Sequence, residues 1–181
     1  MRTWIVPCML LAVSLCVTGC AAKKPEFIYG TYEYQPLGFS LRIPDEWRAE
    51  LIDEEEPTPR HASLKITDPD NEAVILFTAT RTEMSPKQAA FMDIEQYRAD
   101  SRKRLIPIIQ EPWETGGLKG YFVENTLECM DMSLFQRRVY IDNYPVLYVV
   151  ILQAPEKELA EIYMPYFDEI IDSLELSLVK E

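Results

Sequence analysis

Phe39, Leu41 and Ile43 alternate with Ser40 and Arg42, the period of two that marks a strand with one face in a core. Pro44-Asp45 ends that run, and Trp47, Ala49 and Leu51 continue the alternation as a second strand. Asp53-Glu54-Glu55-Glu56-Pro57-Thr58-Pro59 then predicts an exposed loop, because four adjacent carboxylates repel one another and two prolines withhold backbone donors. Ala62, Leu64 and Ile66 form the inward side of the next strand, closed by the turn-forming run Asp68-Pro69-Asp70-Asn71. Ala73-Val74-Ile75-Leu76-Phe77-Thr78-Ala79 is apolar at both parities, which predicts a central strand covered at least partly on both faces.

The period then changes. Ser85-Pro86-Lys87-Gln88 opens a helix: Ser85 caps, Pro86 suits the first helical position, and Gln88 completes a capping box. Phe91, Ile94, Tyr97 or Arg98, Ser101 and Leu105 recur at helical spacing, with Pro107 closing the segment. After Gly116-Gly117, residues 118–127 alternate again. Residues 134–141 and 145–152 predict a hairpin turning at Asp142-Asn143, two residue types tolerant of positive φ. A last helix carries Leu159, Ile162, Tyr163, Phe167, Ile170, Ile171 and Leu174 on one stripe. Pro165 lacks an N–H donor, which predicts a kink or a split there. Strands, helix, three strands and helix together suggest a largely antiparallel sheet with long helices on its faces.

The N-terminus adds location to this picture. Arg2 precedes an almost uncharged apolar run over residues 5–17, which suits a secretion leader and is short of the roughly 20 residues a spanning helix needs. The run ends at Val17-Thr18-Gly19-Cys20, followed by Ala21, Ala22, Lys23 and Lys24. That string resembles the bacterial lipobox, which implies diacylglycerol attachment to the Cys20 thiol, cleavage before it, and acylation of the new amine. The expected division is a leader over residues 1–19, a lipidated N-terminus and linker over 20–34, and one domain over 35–181. Ala21 in place of Asp implies, by resemblance to lipoprotein sorting rules, the periplasmic side of an outer membrane where two membranes are present.

Removing 19 of the 181 residues leaves 162, enough for one domain with a core that needs no staples. Cys8 and Cys16 leave with the leader and Cys20 carries lipid, so Cys129 has no partner for an internal disulfide and is read as a buried small hydrophobe. Lys and Arg total 18 against 30 acidic residues, a net charge of −12 that becomes −13 once Arg2 is lost. Such a surface repels nucleic acid and anionic headgroups. A cationic protein partner or a divalent ion suits it better.

Gly38-Phe39-Ser40-Leu41-Arg42-Ile43-Pro44-Asp45-Glu46-Trp47 resembles the opening of PsbP-like and Mog1-like domains, a glycine, an aromatic strand, then Pro-x-x-Trp. Tyr140-Ile141-Asp142-Asn143-Tyr144-Pro145 and Phe167-Asp168-Glu169-Ile170-Ile171-Asp172-Ser173-Leu174 look like later segments of the same superfamily. The resemblance implies an α/β/α sandwich around a mainly antiparallel sheet, and a binding or accessory role rather than catalysis. PsbP-like proteins assist photosystem II, Mog1-like proteins bind a small GTPase, and bacterial relatives include small envelope lipoproteins. An acidic domain outside the cytoplasm matches neither named partner, and a shared fold does not choose a function.

Candidate chemistry is sparse. His61 is the single histidine, and a nucleophile system with Ser63 and Asp68 needs an orientation that spacing does not establish. Cys129, Met130 and Met132 are soft ligands that strand alternation sends to different faces. Asp53, Glu54, Glu55 and Glu56 lack the alternating ligand spacing and central glycine of a calcium loop. Glu158 with Glu161, and Asp168 with Asp172, share helix faces as solvated acids. Arg98, Arg102, Lys103 and Arg104 form a basic stretch suited to an acidic partner or lipid headgroup, and Gly116-Gly117 lacks the setting of a phosphate loop. Tyr140, Tyr144 and Tyr148 surround the hairpin, and with Trp47 and Trp113 they offer aromatic anchors if exposed. No catalytic residue, metal ligand or cofactor is therefore assigned, and Cys20 is the one modification site. The resulting expectation is an envelope lipoprotein, a non-enzymatic accessory or protein-binding module whose lipid holds it to the membrane. The alternative is a small-ligand or metal-binding lipoprotein in envelope transport.

Overall fold

The computed structural model describes residues 27–52, 57–99, 103–129, 132–177 and Val179. Ten strands and two helices follow in the order β1 (Thr31–Tyr34), β2 (Phe39–Arg42), β3 (Arg48–Leu51), β4 (His61–Thr67), β5 (Val74–Arg81), α1 (Pro86–Ala99), β6 (Lys103–Thr115), β7 (Leu118–Cys129), β8 (Met132–Asn143), β9 (Val146–Ala154), α2 (Lys157–Asp172) and β10 (Glu175–Leu176). Seven strands form one antiparallel sheet in the order β3-β4-β5-β9-β8-β7-β6, and β1-β2-β10 form a small second sheet.

Alternation on β8 divides the large sheet into two faces. Val139 and Ile141 join the main core with Phe77, Tyr148 and Val150, where α2 contributes Ala160, Tyr163, Phe167, Ile170 and Ile171. Tyr140, between them, points the other way and packs with Val123, Leu147 and the α1 residues Ala89 and Ala90. The helices therefore lie on opposite faces, giving the α/β/α layering that the resemblance implies. Trp47 is a core plug, 5.8 Å from Tyr163 and edge-on to it. Tyr148 is fully buried and donates to the carbonyl of Leu37 at 2.6 Å.

Several sequence expectations are corrected. The chain joins the fold before residue 35: β1 pairs with β2, and Ile28 bridges Ala49, so residues 28–34 are part of the domain and not linker. The helix opened by the Ser85–Gln88 capping box, whose Ser85 N–H donates to Gln88 Oε1 at 3.0 Å, ends at Ala99. Leu105 and Pro107 belong to β6, an edge strand where a missing N–H is tolerated and a register shift lies between Pro107 and Ile109. The face of α1 that packs is built from Ala89, Ala90 and Ile94, while Phe91 turns to solvent. The β8–β9 turn is made by Tyr144-Pro145, joined by a cis peptide, with Asp142 and Asn143 still paired in the ladder. Finally, α2 continues through Pro165, which faces solvent, and Ile162 is exposed, not part of the buried stripe.

Candidate functional site

The main contacts of α1 fall on β6, β7 and β8. The same face of β4, β5 and β9 is consequently left beside the helix instead of beneath it. Register places its side chains in rows: His61, Thr80 and Leu147; Ser63, Thr78, Val149 and Tyr140; Lys65, Leu76, Ile151 and Arg138. A groove of about 540 Å³ runs between these rows and α1, lined by Thr78, Thr80, Met92, Asp93, Arg138 and Val149 among others. That volume lies within the range of small-molecule sites.

The groove floor carries a charge. Arg138 has a side chain only 3% exposed and pairs with Asp93 of α1 at 3.3 Å. Tyr140 donates its hydroxyl to the same Asp93 oxygen at 2.7 Å. Arg138 also donates to Gln136 Oε1 at 2.6 Å, and its guanidinium lies 5.2 Å from the Tyr97 ring centre. Gln136 in turn accepts from Asn125 at 3.0 Å. Burial, reinforced by the charge of Asp93, pushes the Tyr140 phenol well above its ordinary value, with Arg138 opposing the shift. Tyr140 is therefore a neutral donor at any physiological pH. Among the described residues, Arg138 Nε, Gln136 Nε2 and Asn125 Oδ1 of this buried network have no partner.

His61 and Ser63 do come together on the open face. Ser63 Oγ lies 2.8 Å from His61 Nε2, and His61 Nδ1 lies 2.9 Å from Thr80 Oγ1. Asp68 is not the third member, because it is buried in its own turn, accepting from the Ala73 N–H at 2.7 Å and the Asp70 N–H at 3.0 Å. Among the described residues, the neutral Thr80 is the hydrogen-bond partner of His61 Nδ1. Ser63 is nearly buried in the middle of a strand rather than on an exposed nucleophile turn.

A second cavity, of about 430 Å³, lies against α2 and is lined by Glu111, Trp113, Phe122, Arg137, Asp168 and Asp172 among others. Burial raises the Asp168 carboxyl above its ordinary value, the neighbouring Asp172 adds to this, and Arg137 opposes it. Beneath this cavity Glu124, 1% exposed, accepts from Arg137 at 2.8 Å and from Lys157 at 3.2 Å. Glu158 and Glu161 are solvated, as expected. Of the three hairpin tyrosines, Tyr140 and Tyr148 are buried and Tyr144 is exposed, so the three form no shared surface there.

Cys20, the leader, the acidic run Asp53, Glu54, Glu55 and Glu56, Ser101, Arg102 and Met130 lie outside the described residues, as do the side chains of Arg98, Lys103 and Cys129. Among the described residues no helix is long and apolar enough to cross a membrane, and no group of three metal-ligating side chains converges.

The sequence carried a signal for the Arg138 network that went unused. Gln136-Arg137-Arg138 places three polar residues side by side in an otherwise apolar central strand. Alternation sends Arg137 to the α2 face and Arg138 to the α1 face.

No protein-family model matches the chain, and no curated protein matches it by sequence. Its fold is shared by solved structures. Cyanobacterial PsbP (CyanoP) from Synechocystis superposes with a TM-score of 0.62 at 11% identity, covering 87% of this chain and 96% of that one. The Saccharomyces cerevisiae Ran-binding protein Mog1p gives 0.51 at 7% identity, over 86% and 97%. A Pseudomonas aeruginosa protein of unknown function gives 0.50 at 14% identity, over 81% and 96%. At these identities the likeness is one of fold.

Proposed function

We propose that this protein is a membrane-anchored, non-enzymatic accessory module that docks another protein of the bacterial envelope through the outer turn of α1. The docking reading is carried by one observation: Met84, Phe91 and Met92 are 45%, 59% and 56% exposed and border a shared apolar depression of about 570 Å³. Single exposed apolar residues are ordinary, but adjoining ones at a depression mark a contact surface. Methionine suits that role because its unbranched side chain adapts to a partner's shape. The net charge of −12 favours a partner whose apolar plug is ringed by basic side chains, since complementary potentials speed encounter and exclude wrong partners. Anchoring rests on the Val17-Thr18-Gly19-Cys20 string, with the acyl chains on Cys20 supplying the membrane hold. The non-enzymatic reading is supported by the commitment of Asp68 to its turn and by the mid-strand setting of Ser63.

Cys20→Ser should abolish acyl labelling and move the protein out of the membrane fraction; unchanged labelling would rule out Cys20 as the attachment site. Phe91→Asp should leave the circular dichroism spectrum and melting temperature unchanged, because Phe91 contributes to no buried cluster. It should also remove the docked protein from native-level affinity purifications. Unchanged recovery of the same partner would move the docking surface elsewhere.

A further inference from the structure

Arg138 carries more hydrogen-bonding capacity than its surroundings use. Its Nη1 reaches one Asp93 oxygen at 3.3 Å and the Tyr140 hydroxyl at 3.4 Å, its Nη2 reaches Gln136, and Tyr97 adds a further side-chain hydrogen bond, yet among the described residues its Nε has no partner although the side chain is 97% buried. A desolvated guanidinium is ordinarily held by a full set of acceptors, and its planar fork is matched best by two oxygens of one carboxylate. Asp93 supplies a single oxygen, shares it with Tyr140, and is itself 39% exposed on the rim of the groove. Rotation about its χ1 to another staggered rotamer would carry the carboxylate toward solvent with the helix backbone in place.

Beyond this pair the groove is amphipathic. Leu147, Val149 and Ile151 of β9 and Ala89 and Met92 of α1 give apolar walls, while Thr78 and Thr80 give hydroxyls along the far side. Among the described residues, Arg138 is the one cation that lines the groove. Lys65 lies in the same row as Arg138, three strands away, which is about 14 Å at ordinary strand spacing. It is also paired with Glu50 at 3.0 Å. One guanidinium, part of whose charge is answered by Asp93, suits a monoanion and not a dianionic phosphate.

We propose that the groove between α1 and the open face of the sheet binds an amphipathic monocarboxylate. Arg138 and Tyr140 donate to the carboxylate as Asp93 turns toward solvent, and the apolar body lies along Leu147, Val149 and Ile151. This site is carried by Arg138; it adjoins the docking surface at Met92 but does not include Phe91.

The test uses the full chain in lipid nanodiscs, with radiolabelled octanoate as probe, equilibrium dialysis as readout and empty discs as the subtraction. One saturable site is expected, with 1-octanol and inorganic phosphate each failing to displace octanoate at equal concentration. Arg138→Met should abolish saturable uptake. Asp93→Asn removes the competing negative charge while keeping an acceptor for Tyr140, and should tighten octanoate by about tenfold. Because that variant gains affinity, it remains decisive even where Arg138→Met does not fold. Uptake no greater than in empty discs, displacement by 1-octanol or phosphate as effective as by octanoate, or unchanged or weaker binding by Asp93→Asn would each overturn the proposal.

Discussion

Gly120→Ala should cost about 3 kcal/mol or more, because a methyl group there has nowhere to go. A Cβ at Gly120 would lie 1.9 Å from the backbone oxygen of Tyr140 and 2.9 Å from its carbonyl carbon. Those atoms are backbone in the neighbouring strand, so no side-chain rotation relieves the clash. Either β7 and β8 separate near the Gly120–Ile141 pair, or the register between them shifts. Both outcomes disturb Tyr140, whose hydroxyl ties the sheet to Asp93 of α1. For a domain of this size the melting temperature should fall by about 6–12 °C, read by circular dichroism at 222 nm. A fall under about 2 °C would mean that β7 and β8 do not approach this closely.

Arg137→Met should be comparably harmful, by about 3 kcal/mol at neutral pH. Arg137 and Lys157 are the hydrogen-bonded cations on Glu124, and Glu124 is the buried member of the group. Burial by itself raises the Glu124 carboxyl, but hydrogen bonds and charge from Arg137 and Lys157 outweigh it and hold the group below its ordinary value of 4.5. A carboxyl lowered by folding stabilises the native state above its unfolded pKa. That contribution is lost as the pH falls through the folded value. With Arg137 gone, Lys157, itself 47% exposed, is the cation left to Glu124, and the depression should shrink or reverse. The variant should therefore lose less stability on acidification than the parent. Adding Glu124→Gln should restore a large part of the loss, since it removes the stranded charge. Urea unfolding at pH 7 and pH 4 measures all three proteins. Equal stability of the single and double variants would show that Arg137 does not serve this carboxylate.

The strands were legible because their alternation is strict. Leu41 and Ile43, Leu64 and Ile66, and Ile75 and Phe77 are all buried as read, and the capping box at Ser85 formed as its spacing required. The misreadings share a cause, which is that local spacing was asked to settle a tertiary question. Leu105 falls at a helical interval from Ile94, yet it is buried from a strand. Phe91 fits an apolar stripe, yet the small Ala89 and Ala90 are what let α1 approach the sheet. The groove was the least legible feature. Asp93 and Arg138 are separated by 45 residues, so no motif spacing joins them, and their meeting depends on α1 crossing β8. His61 and Ser63, two residues apart on one strand face, are a local pair that alternation alone brings together.

The most direct test of the docking role is site-specific photo-crosslinking in living cells. A photoreactive amino acid would replace Phe91, Met92 or, as a reference, Ile162, which is 65% exposed on α2. Adducts would be resolved by gel mobility and identified by mass spectrometry. Positions 91 and 92 should give the same single discrete adduct with an envelope protein, and position 162 should not. Equal labelling at all three positions, or no adduct at 91 and 92 in cells that express the protein at its native level, would contradict a docking module built on α1.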